Sequence, residues 1–243
     1  MKKALSMIVC GLLFLTIFSA SGQAQTAKEI LAKSIEAQGG AKALAAIKDT
    51  TISGNMELVS YGMTGTLTMY QKEPDKMRMD LDIMGMMITQ AYDGKIAWMI
   101  NPQTGATEQM PENASEEFKR RAIGSDALLN PEKLGIKYDF TGKESIDGKE
   151  YLVLTQTMAD GHVTTMYIDP ATYLTYKTKG KTIGQSGEEV MAESIVSDYK
   201  KVDGIVMAHS MTTSQNGQEF MRMTITKVVF NSGLEDSFFQ MPK

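Results

Sequence analysis

Cysteine and histidine are scarce in this chain of 243 residues. It contains one cysteine, Cys10, and two histidines, His162 and His209, which leaves no disulfide framework and few groups for thiol or imidazole catalysis. The sequence also lacks a G-x-S-x-G nucleophile elbow, a P-loop and an H-E-x-x-H zinc motif. We therefore predict that the protein is not an enzyme and that it has no catalytic residues, no metal ligands and no cofactor.

Long apolar runs are equally rare, and the one that exists lies at the start of the chain. Residues 4–18 are almost entirely apolar, follow Lys2 and Lys3, and precede a small residue at Ala24. This order is typical of a secretory signal peptide, and the run is short for a membrane span. We predict a signal peptide over residues 1–24.

The remaining residues, 25–243, suit a single domain by length. Cys10 lies within the apolar run without a lipobox before it, which favours a soluble exported protein over a lipoprotein. Loss of the signal peptide changes the formal net charge from −4 to −6, because two lysines leave with it. This acidic balance argues against a nucleic-acid partner.

Two segments carry helix signals. Residues 26–29, Thr-Ala-Lys-Glu, form a capping box, and Gly39-Gly40 ends the predicted helix. A second short helix is predicted over 41–47. Residues 111–134 are rich in helix formers and show no two-residue alternation, so we predict one or two inserted helices there.

The rest of the chain alternates with a period of two. In residues 77–83, Met, Leu and Ile at every second position alternate with Arg78, Asp80 and Asp82, as in a strand with one apolar face. Hairpin turn dipeptides, Asp-Gly or Asn-Gly, recur at 93–94, 147–148, 160–161, 203–204 and 216–217. We predict an antiparallel meander of about ten to eleven strands, in two blocks around the helical insertion.

Methionine is unusually abundant, with 20 copies, of which only Met1 and Met7 precede residue 24. An ordinary core is one explanation, because Met fills irregular gaps. A copper(I) site is another, because thioethers bind Cu(I) and the spacing of Met77 with Met79 suits a shared ion. The third is an adaptable cavity for an apolar ligand, which we favour because unbranched side chains repack around cargo of varying shape. The residues that we predict to line this cavity are Met63, Leu67, Met69, Met77, Met79, Leu81, Ile83, Met86, Ile88 and Trp98.

Short motifs along the chain resemble those of LolA-type outer-membrane lipoprotein-sorting proteins. The segments are K-E-P-D-K-M-R at 72–78, Y-D-G-K-I-A-W-M-I-N-P at 92–102, G-K-E-Y-L-V-L at 148–154, Y-I-D-P at 167–170 and F-Q-M-P at 239–242. The resemblance implies an incomplete, half-closed antiparallel β-barrel, with N-terminal helices and the helical insertion covering its concave face.

The same resemblance implies a function in the periplasm. Acyl chains of a lipoprotein, or another lipid, would bind the concave face and travel from an inner-membrane donor to an outer-membrane acceptor. A lipid-binding envelope protein without a shuttle role is the alternative. The protein would act as a monomer. In that family an arginine precedes the proline of the first motif and helps to hold the lid, whereas this chain has Glu73 there. That arginine-dependent latch is therefore not expected here.

Overall fold

The computed structural model describes residues 26–184 and 187–242. The predicted signal peptide, including Cys10, lies outside this part of the chain. Within the described residues, no helix is long and apolar enough to cross a membrane.

The described chain is mainly β, with a few helices, and its strands form one antiparallel sheet. Thirteen strands are present in this part, so the prediction of ten to eleven was too low. The three-residue β6 is too short to give a detectable alternation. The strands are β1 (Asp49–Leu58), β2 (Met63–Lys72), β3 (Lys76–Ile83), β4 (Met86–Tyr92), β5 (Ala97–Ile100), β6 (Thr107–Gln109), β7 (Lys137–Ile146), β8 (Lys149–Thr157), β9 (Val163–Ile168), β10 (Thr175–Ile183), β11 (Glu189–Val202), β12 (Ile205–Gln215) and β13 (Gln218–Phe230).

Two meanders make up the sheet, as the two predicted blocks suggested. Their order is β6-β5-β4-β3-β2-β1-β13-β12-β11-β10-β9-β8-β7, so the first and last strands pair at its centre. Tight turns drive this arrangement: Asn216 and Gly217, between β12 and β13, have φ of 48° and 80°, which a two-residue hairpin turn with matching twist requires. The edges of the sheet are β6 and β7, and the sheet is not closed.

The helices are α1 (Ala27–Ala37), α2 (Ala41–Ala45), α3 (Glu112–Ala122) and α4 (Asp126–Leu129). The predicted capping box is present, because Thr26 Oγ1 accepts from the Glu29 N–H at 3.2 Å and Glu29 accepts from the Thr26 N–H at 2.8 Å. Helix placement differs in detail from the prediction. α2 ends at Ala45, and 3-10 turns that were not predicted occur at Val59–Tyr61, Pro131–Leu134 and Asp236–Phe239.

The sheet is strongly curved, and α3 shows how strongly. Six strand spacings separate β3 from β10 in the sheet order, which is roughly 29 Å along a flat sheet. A helix of 11 residues is only about 16 Å long, yet α3 contacts both β3 and β10. The sheet therefore bends around α3 and forms an open half-barrel. The same concave side also holds α1, whose buried Ile30 packs with Leu152, Leu154 and Ile168.

Candidate functional site

Apolar side chains cover much of the concave side of the sheet, which we call the inner face. Strand pairing places Leu67 opposite Leu81 and Leu81 opposite Ile88, so three neighbouring strands present one apolar row. Met69 and Met79 form the next row on the same face. The predicted cavity residues on the inner face are Met63, Leu67, Met69, Met77, Met79, Leu81, Ile83, Met86 and Ile88.

The inner face extends further than the sequence analysis anticipated. Met56 pairs with Met223 and Leu58 pairs with Met221, so β1 and β13 continue the apolar surface across the centre of the sheet. These four side chains join Leu67 in one packed cluster. The alternation of apolar residues at Met56 and Leu58 could have predicted their face of β1. The pairing of β1 with β13 could not be predicted, because the two strands are far apart in sequence.

Trp98 lies on the opposite side of the sheet, which we call the outer face. It pairs with Ala91, and Ala91 pairs with Arg78, whose side chain points away from the inner face because neighbours alternate along a strand. The Trp98 indole is fully buried and donates from Nε1 to the Phe239 carbonyl oxygen at 2.8 Å. The structure therefore corrects the predicted placement of Trp98, which anchors the C-terminal turn.

Polar groups beside Trp98 on the outer face also have structural partners. Arg78 donates to the carbonyl oxygen of Phe238 at 3.2 Å, and its guanidinium lies 4.4 Å from that ring's centroid. Arg78 Nε donates to Asp80 at 3.1 Å, and the Thr89 hydroxyl donates to the same carboxylate at 2.8 Å. The outer face here is a support for the C-terminal segment.

Residues 111–134, which we call the lid, cross the inner face. One side of α3 is apolar: Phe118 and Ala122 are buried in a cluster with Met77, Tyr92 and Ala97. This packing joins the lid to the first meander. It buries part of the predicted methionine surface while leaving Met69 and Met79 only partly buried.

The other side of α3 is joined to the second meander by charge. Arg120 donates to Glu117 at 3.0 Å and to Asp160 at 2.9 Å. Glu117 also accepts from Arg121 at 3.0 Å and from the Thr182 hydroxyl on β10 at 2.9 Å. Burial would raise the pKa of the Glu117 carboxyl, but Arg121 and Arg120 outweigh it, so that this pKa is lowered. An ionised Glu117 therefore helps to hold the lid.

Glu73 provides a third connection to the lid. Its Oε1 accepts a hydrogen bond from the backbone N–H of Ser125 at 2.8 Å, just before α4. The N–H of Gly124 donates to the Pro74 carbonyl oxygen at 3.1 Å, and a side chain at Gly124 would overlap the Glu73 carboxylate. Glu73 therefore contacts the lid through its carboxylate, at the position where the resemblance has an arginine.

Comparisons with known proteins address the fold. The model of a family described as "Uncharacterized protein" matches residues 69–243, and the chain belongs to that family. A comparison with curated protein sequences gives no significant match. Solved structures are more informative. A LolA superfamily protein from Nitrosomonas europaea aligns with a TM-score of 0.61 at 14% identity, covering 89% of this chain and 98% of that one. This chain has the LolA-like fold.

Two further structures agree. A DUF1329 family protein from Desulfovibrio piger aligns with a TM-score of 0.61 at 14% identity, over 89% of this chain and 98% of that one. A putative outer-membrane lipoprotein-sorting protein domain from Vibrio parahaemolyticus aligns with a TM-score of 0.57 at 14% identity, over 88% and 95%. The resemblance predicted from the short motifs is confirmed at the level of the fold.

The LolA-like half-barrel is polar where α3 meets the second meander. A cavity of about 410 Å³ lies there between the lid and β8–β11. Hydroxyl groups from Thr164, Thr178, Thr182 and Ser194 line it, together with charged groups from α3. Thus hydroxyl and charged side chains interrupt the apolar inner face at this point of the second meander, which the alternation of the sequence did not distinguish.

The apolar part continues to the rim of the half-barrel. The hairpin between β3 and β4 exposes Met84 by 78%, Met86 by 46% and Met87 by 54%. The 3-10 turn between β1 and β2 lies at the same end of the sheet and exposes Tyr61 by 54%. Large apolar side chains are costly in water when they form a contiguous patch, and such patches mark interaction sites.

Alternative chemistry has little geometric support within the described residues. No group of three or more His, Cys, Asp or Glu is placed there to hold a metal ion. Met77 lies in a carbon-rich cluster with Tyr92 and Phe118. His209 is buried, with Nδ1 3.0 Å from the Met207 carbonyl oxygen. Copper(I) binding by methionine alone stays the alternative explanation of the methionine-rich surface.

Proposed function

We propose that this protein is a periplasmic carrier of lipid acyl chains, which it binds on the apolar part of the inner face beneath the lid. The observation that carries the proposal is the apolar face of a half-open barrel, over which a helix is held by packing on one side and by an ion pair and a hydrogen bond on the other. Reversible covering of an apolar surface is what a carrier needs to load and release a water-insoluble cargo.

The proposed binding residues are the nine predicted ones on the inner face. Met69 and Met79 pair across strands and are only half-buried, so they remain available to a ligand. Their unbranched thioether side chains adapt to chains of different shape. An acyl chain of about 14 carbons loses on the order of 10 kcal/mol of apolar burial on leaving a bilayer, and only an extended apolar face offsets this.

The cargo in this proposal is an acylated lipoprotein or another lipid, carried from an inner-membrane donor towards an outer-membrane acceptor. Similarity to a putative outer-membrane lipoprotein-sorting protein domain supports that cargo class, and the predicted signal peptide supports export. The protein acts as a monomer, without a cofactor and without covalent catalysis.

Lipid retention in matched variants tests the proposal. Met79→Glu and Leu81→Glu each place a charge on the inner face, and we expect both to abolish retention of lipid co-purified from an envelope extract. Asn55→Glu adds the same charge to an exposed outer-face position of β1 and should retain lipid. Native mass spectrometry identifies the adduct. Lipid retention by a folded Met79→Glu/Leu81→Glu double variant would refute the proposal. Adducts of copper mass instead of lipid mass would indicate that the methionine surface binds a metal.

A further inference from the structure

The hairpin turn between β3 and β4 has an unusual residue at its first position. Four two-residue hairpin turns of the described chain share one backbone form, with positive φ at both residues and glycine second. Three of them begin with Asp147, Asp203 or Asn216, whereas the fourth begins with Met84 at φ 54°. Asp and Asn tolerate this left-handed conformation, and a bulky apolar side chain does so poorly. Met84 is therefore a local cost to the turn, and backbone outliers of this kind cluster at functional sites.

The side chains around this turn are apolar and in contact with solvent. Met84 and Met87 expose more than half of their surface, and Met86 exposes nearly half. Strand pairing places Met86 on the inner face and Met87 on the outer face, so the turn is apolar on both sides. Asp82, at its base, accepts a hydrogen bond from the backbone of the turn at 2.8 Å, and residues 83–88 carry no charge. Transfer of residues 83–88 into an apolar phase would bury no charged side chain.

The turn also lies beside the part of the inner face that α3 does not cover. Ile83 and Met86 pair next to the turn, and Ile83 packs with Leu67 in the apolar cluster of the first strands. Among the described residues, that cluster contains no residue of the lid. Helix α3 packs instead against Met77 and Tyr92, at the far ends of β3 and β4. An acyl chain that slides out along the inner face, away from α3, therefore passes this turn last.

The size and charge of the exposed patch fit a lipid bilayer better than a protein. The three methionines together expose roughly 350 Å², at about 200 Å² for a large side chain. A stable protein interface takes about 800 Å² from each partner, whereas side chains that enter a membrane need no complementary surface. Because the net charge without residues 1–24 is −6, a zwitterionic lipid surface suits this chain better than an anionic one.

We propose that the hairpin between β3 and β4 inserts its methionine tip into the surface of a zwitterionic bilayer. The inserted tip connects the inner face with the membrane, so that acyl chains pass between them without crossing water. The inference rests on the proposed carrier function and names the partner from which cargo enters or to which it leaves. Met84 lowers the stability of its turn in return for this contact, as residues at functional sites commonly do.

Flotation of the purified chain with phosphatidylcholine vesicles tests the proposal. Met84→Asn is the decisive variant, because asparagine relieves the turn and removes the apolar tip. We expect its unfolding midpoint to rise by roughly 1–3 °C and its partitioning onto vesicles to fall at least about fivefold. Met87→Ser, on the outer face, should also weaken partitioning. Ile96→Asn is the matched control, because Ile96 is an exposed apolar residue at the opposite end of the sheet, and it should partition like the unaltered chain.

Calorimetric titration with dioctanoylglycerol, a short-chain lipid without vesicles, separates this proposal from the carrier function. If the unaltered chain binds that lipid but does not partition onto vesicles, hairpin insertion is wrong and the carrier function stands. Unchanged partitioning of Met84→Asn, or an equal loss in Ile96→Asn, also overturns insertion through this hairpin. Tighter partitioning onto anionic phosphatidylglycerol vesicles overturns the zwitterionic surface. Absence of dioctanoylglycerol binding overturns the carrier function itself.

Discussion

Replacing Trp98 by phenylalanine tests whether the outer face stabilises the fold without taking part in lipid binding. The substitution removes the indole N–H that donates to the Phe239 carbonyl oxygen at 2.8 Å, in a fully buried site. Leaving that carbonyl unpaired costs about 1–3 kcal/mol, and the volume lost beside the buried Phe239 ring adds roughly 1 kcal/mol. We therefore expect the free energy of unfolding to fall by about 2–4 kcal/mol.

Thermal unfolding and lipid retention, measured on the same samples, form the assay. For a chain of this size, that loss lowers the unfolding midpoint by roughly 4–16 °C. Because Trp98 lies on the outer face, we expect the folded variant to retain lipid like the unaltered chain. Met79→Glu should give the opposite pattern, with lipid lost from a chain that still folds.

Two results would refute this reasoning. An unchanged unfolding midpoint in Trp98→Phe would mean that the bond to Phe239 does not stabilise the C-terminal turn. Loss of lipid at an unchanged midpoint would return Trp98 to the binding site, where the sequence alone had placed it.

Three further predictions concern the carboxylates. Glu73→Ala should destabilise the lid by about 1–2 kcal/mol, because the Ser125 N–H loses its acceptor, whereas Glu73→Gln keeps an acceptor and should be milder; equal effects in urea unfolding would contradict this. The lowered pKa of Glu117 means that its stabilisation is complete above its ordinary value of 4.5 and is lost as the pH falls below it, so acid should release lipid from the unaltered chain more than from Glu117→Gln. Asp49→Ala should cost about 3 kcal/mol in urea unfolding, because its carboxylate accepts four hydrogen bonds from the loop after β13; Asp49→Asn should cost less.

Local signals in the sequence predicted much of the fold. The capping box at 26–29, the Asn-Gly turn at 216–217 and the alternation of 77–83 are each determined by a few neighbouring residues, and each appears in the structure. The predicted strand count was too low, in part because the three residues of β6 are too few to show a period. The central pairing of β1 with β13 joins residues far apart in sequence, and no local pattern encodes it.

The sequence predicted the candidate site only where apolar and polar residues alternate along a strand. Nine positions on β2, β3 and β4 were placed on one face by the two-residue period. Trp98 was misplaced because β5 is apolar on both faces: Ala97 packs under α3, whereas Trp98 packs under the C-terminal turn. In the sequence, Glu73 is only a charge reversal relative to the arginine of the resembling family. Its hydrogen bond with the Ser125 N–H could not be predicted, because it depends on where the lid lies in the fold.

The exposed hairpin at Met84, Met86 and Met87 has a consequence for the redox chemistry of the protein. Thioethers in contact with solvent are oxidised to sulfoxides, which are polar and chiral. With Met84 exposed by 78% and Met77 by only 5%, mild peroxide treatment should modify the hairpin long before the covered part of the inner face. An apolar rim would thereby become a hydrophilic one while the sheet stayed intact. The methionines that give this surface its adaptability also make it sensitive to oxidants.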